Sequence, residues 1–583
     1  MINLTINGKA LEVEPGTTIL QAAQKVNIKI PTLCYNPDLT PWASCGICIV
    51  RLAGSPKMVR ACCTACEPNM NIITHDPEII AVRRTVLELI LSNHPNDCLQ
   101  CPRNQSCELQ NLAAEFGLRE APFIKVKNDL PIDDSNPAIV LCPEKCIRCG
   151  RCVKVCQEVQ NVWALEFLGR GIHGKIASAA DAPLGESPCI KCGQCAAHCP
   201  VGAIYERDDT VKVWDALQDQ EKHTVVQIAP AVRVALAEEF GLEPGTVFTK
   251  KIYAALRRLG FKTVFDTNFS ADLTIMEEGS ELVKRLTEKG SVIPLITSCC
   301  PAWVDYMEKY YNDMIPNFST AKSPQQMMGA MIKSYWAEKA GVNPDKIYSV
   351  SVMPCTAKKW ETKRNDDMKS AGHGYDVDIV ITTRELARMI KQAGIDVLKL
   401  ADEEPDSPLG PYTGAATIFG ATGGVMEAAV RSAYYLVTKK ELPDVDFKPA
   451  RGLDGVKEGE VDFGNGTKIR IAVAHQMGNI AAVLDKIREA KKAGKETPYH
   501  FIEVMACRGG CVAGGGQPYG CKDDIREKRA SGLYTDDQKS QYRCSHQNPF
   551  IGQVYKEFLG EPGGHKAHKL LHTKYVERPL YVK

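Results

Sequence analysis

The sequence predicts a multi-domain α/β protein with a cysteine-rich N-terminal third, and three observations carry that expectation. The chain has 583 residues, more than one hydrophobic core ordinarily spans. It has 25 cysteines, mostly in tight clusters within the first 200 residues. From about residue 210 onward, apolar strands alternate with helical stretches, as in "TVVQIAP", "KIYSVSVMPC", "VDIVITTRELARMIKQAG" and "YHFIEVMAC". Strand-then-helix repetition implies layered α/β structure.

Charge and composition exclude several classes. Lys and Arg number 71 against 70 Asp and Glu, a net charge of +1, which gives no reason to expect nucleic acid or an anionic membrane as partner. The opening "MINLTINGKALEVEPG" alternates like a strand hairpin and lacks the basic-then-apolar pattern of a signal peptide. No twin-arginine segment is present, and no apolar run approaches the ~18 residues of a membrane span. A reducing cytoplasm is the expected compartment, where clustered cysteines bind metal rather than pair with one another.

The first cluster is Cys34, then Cys45 and Cys48 in "SCGIC", then Cys62 in "RACCTAC". A Cys-x2-Cys flanked by one distant cysteine on each side suits a [2Fe–2S] rhomb; four thiolates also suit zinc. Spacing leaves Cys62 and Cys63 both open as the fourth ligand. The segment resembles plant-type ferredoxins and the N-terminal domain of complex I's large iron–sulfur subunit, and that resemblance favours Cys62.

A helix is predicted next, with Asp76 and Pro77 as N-cap and first-turn residue, an apolar stripe from Ile79 to Leu91, and Pro95 as its stop. Beyond it, "NHPNDCLQCPRNQSC" carries His94, Cys98, Cys101 and Cys107 at spacings of three, two and five intervening residues. A histidine at a helix end is ordinarily a cap or solvated; three cysteines within reach favour ligation of a [4Fe–4S] cluster. A neutral imidazole should raise that cluster's potential. The segment resembles a module found in complex I and in some hydrogenases.

Two runs of C-x2-C-x2-C-x3-C follow, Cys146, Cys149, Cys152 and Cys156, then Cys189, Cys192, Cys195 and Cys199. In bacterial two-cluster ferredoxins the fourth cysteine of each run serves the other run's cluster. Cys146, Cys149, Cys152 and Cys199 are therefore expected to hold one [4Fe–4S], and Cys189, Cys192, Cys195 and Cys156 the second. Between the runs "GRGIHG" matches G-x-G-x-x-G without strand–turn–helix context, so it reads as a loop. The four clusters form a wire, and a wire implies a terminus where electrons do chemistry.

That terminus is expected where three strands run into cysteines: "VIPLITSCC", "SVMPC" and "FIEVMAC". Open α/β sheets collect ligands at such strand ends. Cys300, Cys355, Cys507 and Cys511 are four thiolates, enough for a [4Fe–4S] cube, and Gly509, Gly510, Gly514, Gly515 and Gly516 let backbone approach a bulky group.

Here "TSCCPAW", "MPCTAKKWE" and "FIEVMACRGGCVAGGGQP" resemble the three signature stretches of the [FeFe]-hydrogenase large subunit, and the cluster modules occur in the order of the clostridial-type enzymes. The tail, residues ~525 to 583, resembles a segment that is a separate small subunit in some relatives. The resemblance implies the reversible reaction 2H⁺ + 2e⁻ ⇌ H₂, near −0.4 V at neutral pH, about where plant-type ferredoxins lie. It implies an H-cluster: a cube on Cys300, Cys355, Cys507 and Cys511, with Cys511 bridging to a two-iron subcluster carrying CO, CN and a bridging dithiolate. Lys358 would donate to a cyanide. Met353, Met505, Gln325 and Pro230 would line the pocket. Cys299 would pass protons, which suits a thiol whose reference pKa is about 8.5. Glu278, Glu281, Ser319 and Arg285 match the family's proton route, although by themselves two glutamates three apart on a helix read as a solvated acidic face.

The expected architecture is therefore an N-terminal plant-type ferredoxin β-grasp domain (1–78), a His-ligated cluster helical module (79–135), a two-cluster ferredoxin domain (136–209), and a large α/β catalytic domain with two lobes (210–583). Ala302, Ala231 and Ala357 depart from the glycine and serines common in the family, removing space or a hydroxyl beside the active cluster. Cys63, Cys66, Cys142, Cys521 and Cys544 remain unassigned. No nucleotide- or flavin-binding motif is present, so the resemblance points to ferredoxin and/or flavin-containing NAD(P)H-oxidising subunits in a hetero-oligomer, with a monomer served by ferredoxin as the alternative. Three other readings compete. A complex-I-like carrier would not need the three hydrogenase stretches. Cytosolic iron–sulfur assembly factors share the C-terminal architecture without the full pocket. A hydrogen sensor is expected to lose Cys299.

Overall fold

The computed structural model describes residues 1–124, 130–463 and 468–582. Packing divides the chain into two compact units. The first comprises Met1–Val159, Trp163–Ser187 and His198–Tyr205; the second comprises Gln160–Val162, Pro188–Ala197 and Glu206–Lys583.

In the first unit, β1 (Ile2–Ile6) and β2 (Lys9–Val13) pair antiparallel across a turn in which Asn7 and Gly8 take positive φ of 50° and 78°, the conformation a two-residue hairpin needs. Helix α1 (Ile19–Lys25) starts at a capping box between Thr18 and Gln21. With β3 (Ile49–Leu52), β4 (Met58–Arg60) and β5 (Asn71–Ile73), the sheet order is β2-β1-β5-β3-β4. Leu4, Ile6, Val13, Ile19, Leu20 and Ile72 close its core. Helix α2 (Pro77–Ser92) begins where Asp76 Oδ1 accepts the Ile79 amide at 2.7 Å, and it ends before Pro95. The "GRGIHG" stretch joins the antiparallel strands Glu166–Leu168 and Lys175–Ala177, so the expected loop is a hairpin connection.

The second unit contains two four-stranded sheets. The first is fully parallel, with order β7-β6-β9-β10, where β6 is His223–Ile228, β7 Thr263–Asp266, β9 Ile347–Met353 and β10 Ile379–Thr382. The second has order β8-β13-β12-β11, where β8 is Leu295–Ile296, β11 Val456–Asp462, β12 Lys468–His475 and β13 Phe501–Met505. Strands β8 and β13 are adjacent and parallel, with Leu295 opposite Phe501. "TSCC" and "MAC" therefore leave the same sheet edge side by side, while "MPC" leaves β9 of the other sheet.

The tail is locked to this unit by buried charge. Arg431 Nη1 lies 2.9 Å from Asp537 Oδ1 with both side chains fully buried, and Arg529 Nε lies 2.6 Å from Glu238 Oε1. Breaking one partner of such a pair would cost about 3–5 kcal/mol.

The partition differs from the modules read off cysteine spacing. Pro188–Ala197, which carries Cys189, Cys192 and Cys195, packs within the second unit. Buried polar contacts explain why: Thr356 Oγ1 donates to the Lys191 carbonyl at 2.8 Å, and Lys309 Nζ to the Cys189 carbonyl at 3.1 Å. Lys191 Nζ sits 2.5 Å from Asp305 Oδ2.

Candidate active site and cluster sites

In the first unit, Cys34, Cys45, Cys48 and Cys62 turn their thiols toward one another. The thiols of Cys45 and Cys62, donating to Cys34, hold it well below the usual thiol range, and Cys62 is pushed up by giving its proton to Cys34 and Cys48. Four thiols sharing protons in a buried pocket are the donor set an iron–sulfur rhomb replaces. Cys62 is fully buried here while its neighbour Cys63 is exposed. Cys66 is buried in the same core.

The segment with His94, Cys98, Cys101 and Cys107 folds through consecutive turns, Cys101 N–H to the Cys98 carbonyl and Asn104 N–H to the Cys101 carbonyl. His94 and Cys107 are buried. Gly202 covers Cys101, and a Cβ there would lie 2.5 Å from its sulfur. Cys146, Cys149, Cys152 and Cys199 line one cavity of about 340 Å³ of empty space, walled otherwise by Leu141, Ile147, Gly150, Ile176, Val201, Ala203 and Ile204. The sequence repeat assigned these four cysteines to one cluster, and an apolar chamber lined by four thiols suits a cube.

In the second unit, the segments after β8, β9 and β13 bring Cys300, Cys355, Cys507 and Cys511 together. Cys300 N-caps the helix Pro301–Tyr310. Cys355 is pushed up to about 12 by burial and by Cys300. Cys507 is raised by burial and by Cys355, Cys300 and Cys511. Four thiols that crowd one another disfavour four bare charges; an iron–sulfur cube relieves that repulsion. Gly510, at φ 93°, has no room for a Cβ, which would sit 2.6 Å from the Thr422 amide. Gln194 Nε2 donates to Cys507 Sγ at 3.2 Å and to the Ala513 carbonyl at 3.1 Å. Sequence reasoning did not single out Gln194.

Beside these thiols lies a cavity with about 520 Å³ of empty space, bounded by Cys299, Cys355, Cys511 and Lys358 and by Pro230, Ala231, Gln325, Met353 and Phe419 among others. Pro230, Gln325 and Met353 stand where pocket residues were expected. Met505 does not line this cavity; it is 2 % exposed and packs in the core on which Cys299 leans, its sulfur against Gly510. Ala231 and Ala357 are fully buried and Ala302 nearly so.

Lys358 Nζ donates to the Cys299 carbonyl at 3.1 Å and to Glu361 Oε2 at 2.8 Å. Glu361, which carried no sequence signal, also accepts from Ser323 and Gln325. On the helix Thr267–Thr287, Glu278 is 1 % exposed, and neither carboxylate oxygen has a hydrogen-bond partner of ordinary geometry. Burial pushes it up to about 8, with Glu281 adding to the rise and the nearby Ser319 hydroxyl opposing it. The solvated acidic face that spacing alone suggests is therefore not what forms. Glu281 Oε1 lies 2.6 Å from Arg285 Nη2, and Glu281 Oε2 accepts from Ser319 Oγ at 3.3 Å. Cys299 is raised by burial and then by the Glu278 carboxylate.

Four crowded thiols beside a largely apolar cavity with the Lys358 ammonium on its wall suit a metal-cluster redox centre. Residues 222–515 match the family described as iron only hydrogenase large subunit, C-terminal domain, and residues 523–578 the iron hydrogenase small subunit. Residues 1–77 match a 2Fe-2S iron-sulfur cluster binding domain, 83–122 the NADH-ubiquinone oxidoreductase-G iron-sulfur binding region, and 145–203 a 4Fe-4S dicluster domain. The chain is 46% identical to the NADP-reducing hydrogenase subunit HndD of Solidesulfovibrio fructosivorans, over 99% of each chain. It is 41% identical to iron hydrogenase 1 of Clostridium pasteurianum, over 99% of this chain and 100% of that one. A solved structure of a variant of [FeFe]-hydrogenase HydA1 from Chlamydomonas reinhardtii matches with TM-score 0.56 at 43% identity, covering 64% of this chain and 100% of that one. The chain belongs to the [FeFe]-hydrogenase family. It interconverts protons, electrons and H₂ at an H-cluster, with [2Fe–2S] and [4Fe–4S] accessory clusters carrying the electrons. No helix among the described residues is long and apolar enough to cross a membrane.

Proposed function

We propose that Cys300, Cys355, Cys507 and Cys511 hold the cube of the H-cluster and that Cys299, Glu278, Ser319, Glu281 and Arg285 move protons between its cavity and the surface. The observation that carries this reading is the single cavity shared by Cys299, Cys355, Cys511 and Lys358. The H-cluster, when bound, supplies the two-electron chemistry of H₂; the chain's residues bind it, orient it and deliver protons. Lys358, held by Glu361, keeps its charge beside the cavity and would donate to a cyanide ligand of the bound cluster. Glu278, with a pKa of about 8, sits near neutrality, where a relay group gives and takes protons with comparable ease. Arg285, 15% exposed at its side chain, anchors the outer end through Glu281.

The accessory clusters take the ligand sets that spacing gives: Cys34, Cys45, Cys48 and Cys62 for [2Fe–2S]; His94, Cys98, Cys101 and Cys107 for one [4Fe–4S]; and the repeat for two more.

The electron partner is a flavin-containing NAD(P)H-oxidising subunit in a cytoplasmic hetero-oligomer, with ferredoxin as a second redox partner. Full-length similarity to a subunit of an NADP-reducing hydrogenase supports this, as does the match to the NADH-ubiquinone oxidoreductase-G region. Anaerobic purification of the tagged chain from its own cells should bring down a flavoprotein, and the complex should reduce NAD⁺ or NADP⁺ with H₂ while the isolated chain does not. A chain that purifies alone and exchanges electrons with ferredoxin at full rate contradicts this. That result supports a ferredoxin-served monomer.

A further inference from the structure

We propose that Glu441, Cys544 and His546 form a structural zinc site that clips the C-terminal segment to the large catalytic domain. One ligand atom from each of the three residues lies within 4.8 Å of the other two. Thiolate, imidazole and carboxylate are a donor set that suits Zn²⁺ rather than the hard cations Mg²⁺ and Ca²⁺.

The site is built rather than incidental. Cys544 is 1 % exposed, and the His546 side chain 5%. His546 Nε2 faces the Glu441 carboxylate, 3.2 Å from each oxygen, while Nδ1 lies 3.2 Å from Ser432 Oγ. With Ser432 Oγ beside Nδ1, Nε2 is the ring nitrogen turned toward Glu441 and the metal position. The ring is stacked on Tyr435 at 4.2 Å and 3°, so its plane is fixed as well. Gln547 Nε2 donates to Glu441 Oε2 at 3.2 Å and steadies the third ligand. Glu441 is half-exposed, at 54% of its side chain, which leaves a fourth position open to water at the rim.

The Cys544 thiol is closed off from solvent. A dication at the site would convert this thiol into a paired thiolate and contribute its binding energy to folding. Position gives that energy a purpose. Glu441 belongs to the stretch matching the large-subunit domain, 222–515, whereas Cys544 and His546 belong to the stretch matching the small subunit, 523–578. The metal would join the two stretches, and none of the three residues borders the catalytic cavity.

The test uses matured holoenzyme purified anaerobically, with zinc and iron counted by mass spectrometry and the zinc K-edge recorded. The expected result is about one zinc per chain after dialysis against a chelator. Its shell should contain one sulfur at about 2.3 Å and nitrogen or oxygen at about 2.0 Å. C544A and H546Q should lose that zinc without losing iron. If they fail to fold, E441Q at the rim serves instead, and it should hold zinc at least about tenfold more weakly. Zinc well below one per chain, a four-sulfur shell from zinc misplaced in an iron–sulfur site, or equal zinc retention in the variants would overturn the proposal.

Discussion

Lys358, on the wall of the cavity beside Cys299, and Glu361 lie one turn apart, both buried, with ammonium and carboxylate 2.8 Å apart. The same carboxylate oxygen accepts Ser323 Oγ at 2.9 Å and Gln325 Nε2 at 3.1 Å. Glu361 is thus a positioning residue, held in turn by two neutral donors, and it fixes the cation that faces the cavity.

Replacing Glu361 by Gln leaves Lys358 buried without its counter-charge, a loss worth about 3–5 kcal/mol for a buried pair. E361Q should lower H₂ uptake at least about tenfold and shift the infrared C≡N stretch of the matured enzyme at equal iron content. An unchanged C≡N band would remove Glu361 from this role.

Glu278 gives a pH signature. Its folded pKa is about 8 against about 4.5 unfolded, so between those values the folded chain binds the extra proton. Stability conferred by the neutral acid is then complete below about pH 4.5 and declines as pH rises toward 8. E278Q, neutral at every pH, should show a thermal-unfolding advantage over wild type that grows between pH 5 and 8 and then levels. Its H₂ uptake should fall by roughly 10²–10⁴. A stability difference independent of pH would mean that Glu278 is not held protonated.

Cys62 and Cys63 separate cleanly by burial. C62S should abolish the reduced [2Fe–2S] resonance at low temperature, and C63S, at an exposed position, should leave it intact. The opposite pattern would reassign the fourth ligand.

Cysteine spacing and strand periodicity made most of the cluster framework legible, because thiolates in a reducing compartment have few other uses and because strand ends point where ligands gather. The Cys146, Cys149, Cys152 and Cys199 chamber illustrates this. Features that depend on long-range packing were not legible. Spacing alone puts Glu278 on a solvated acidic face, and only the family resemblance marks it out; the helix turns it inward. Met505 reads as a pocket residue but packs behind Gly510, and Glu361 and Gln194 carry no motif at all. The association of Pro188–Ala197 with the second unit depends on long-range contacts of Lys191 with Asp305 and Thr356 and of Lys309 with Cys189, made by residues ordinary in sequence.

Gly193 tests that association. At φ 70° its added Cβ would lie 2.3 Å from Thr356 Oγ1, so G193A should loosen the segment bearing Cys192 from the turn bearing Cys355. Loss of about one [4Fe–4S] of iron per chain, or a shifted cluster resonance, is expected. Full iron with unchanged spectra would show that the segment tolerates displacement.

The central claim is that Cys299 carries protons while its neighbour Cys300 carries iron. The most direct measurement is dye-linked anaerobic H₂ uptake by matured wild type and C299A at equal iron content and equal CO and CN infrared intensity. The account predicts rapid uptake by wild type and a loss of roughly 10²–10⁴ in the variant with its H-cluster intact. Uptake within a few-fold of wild type would contradict it.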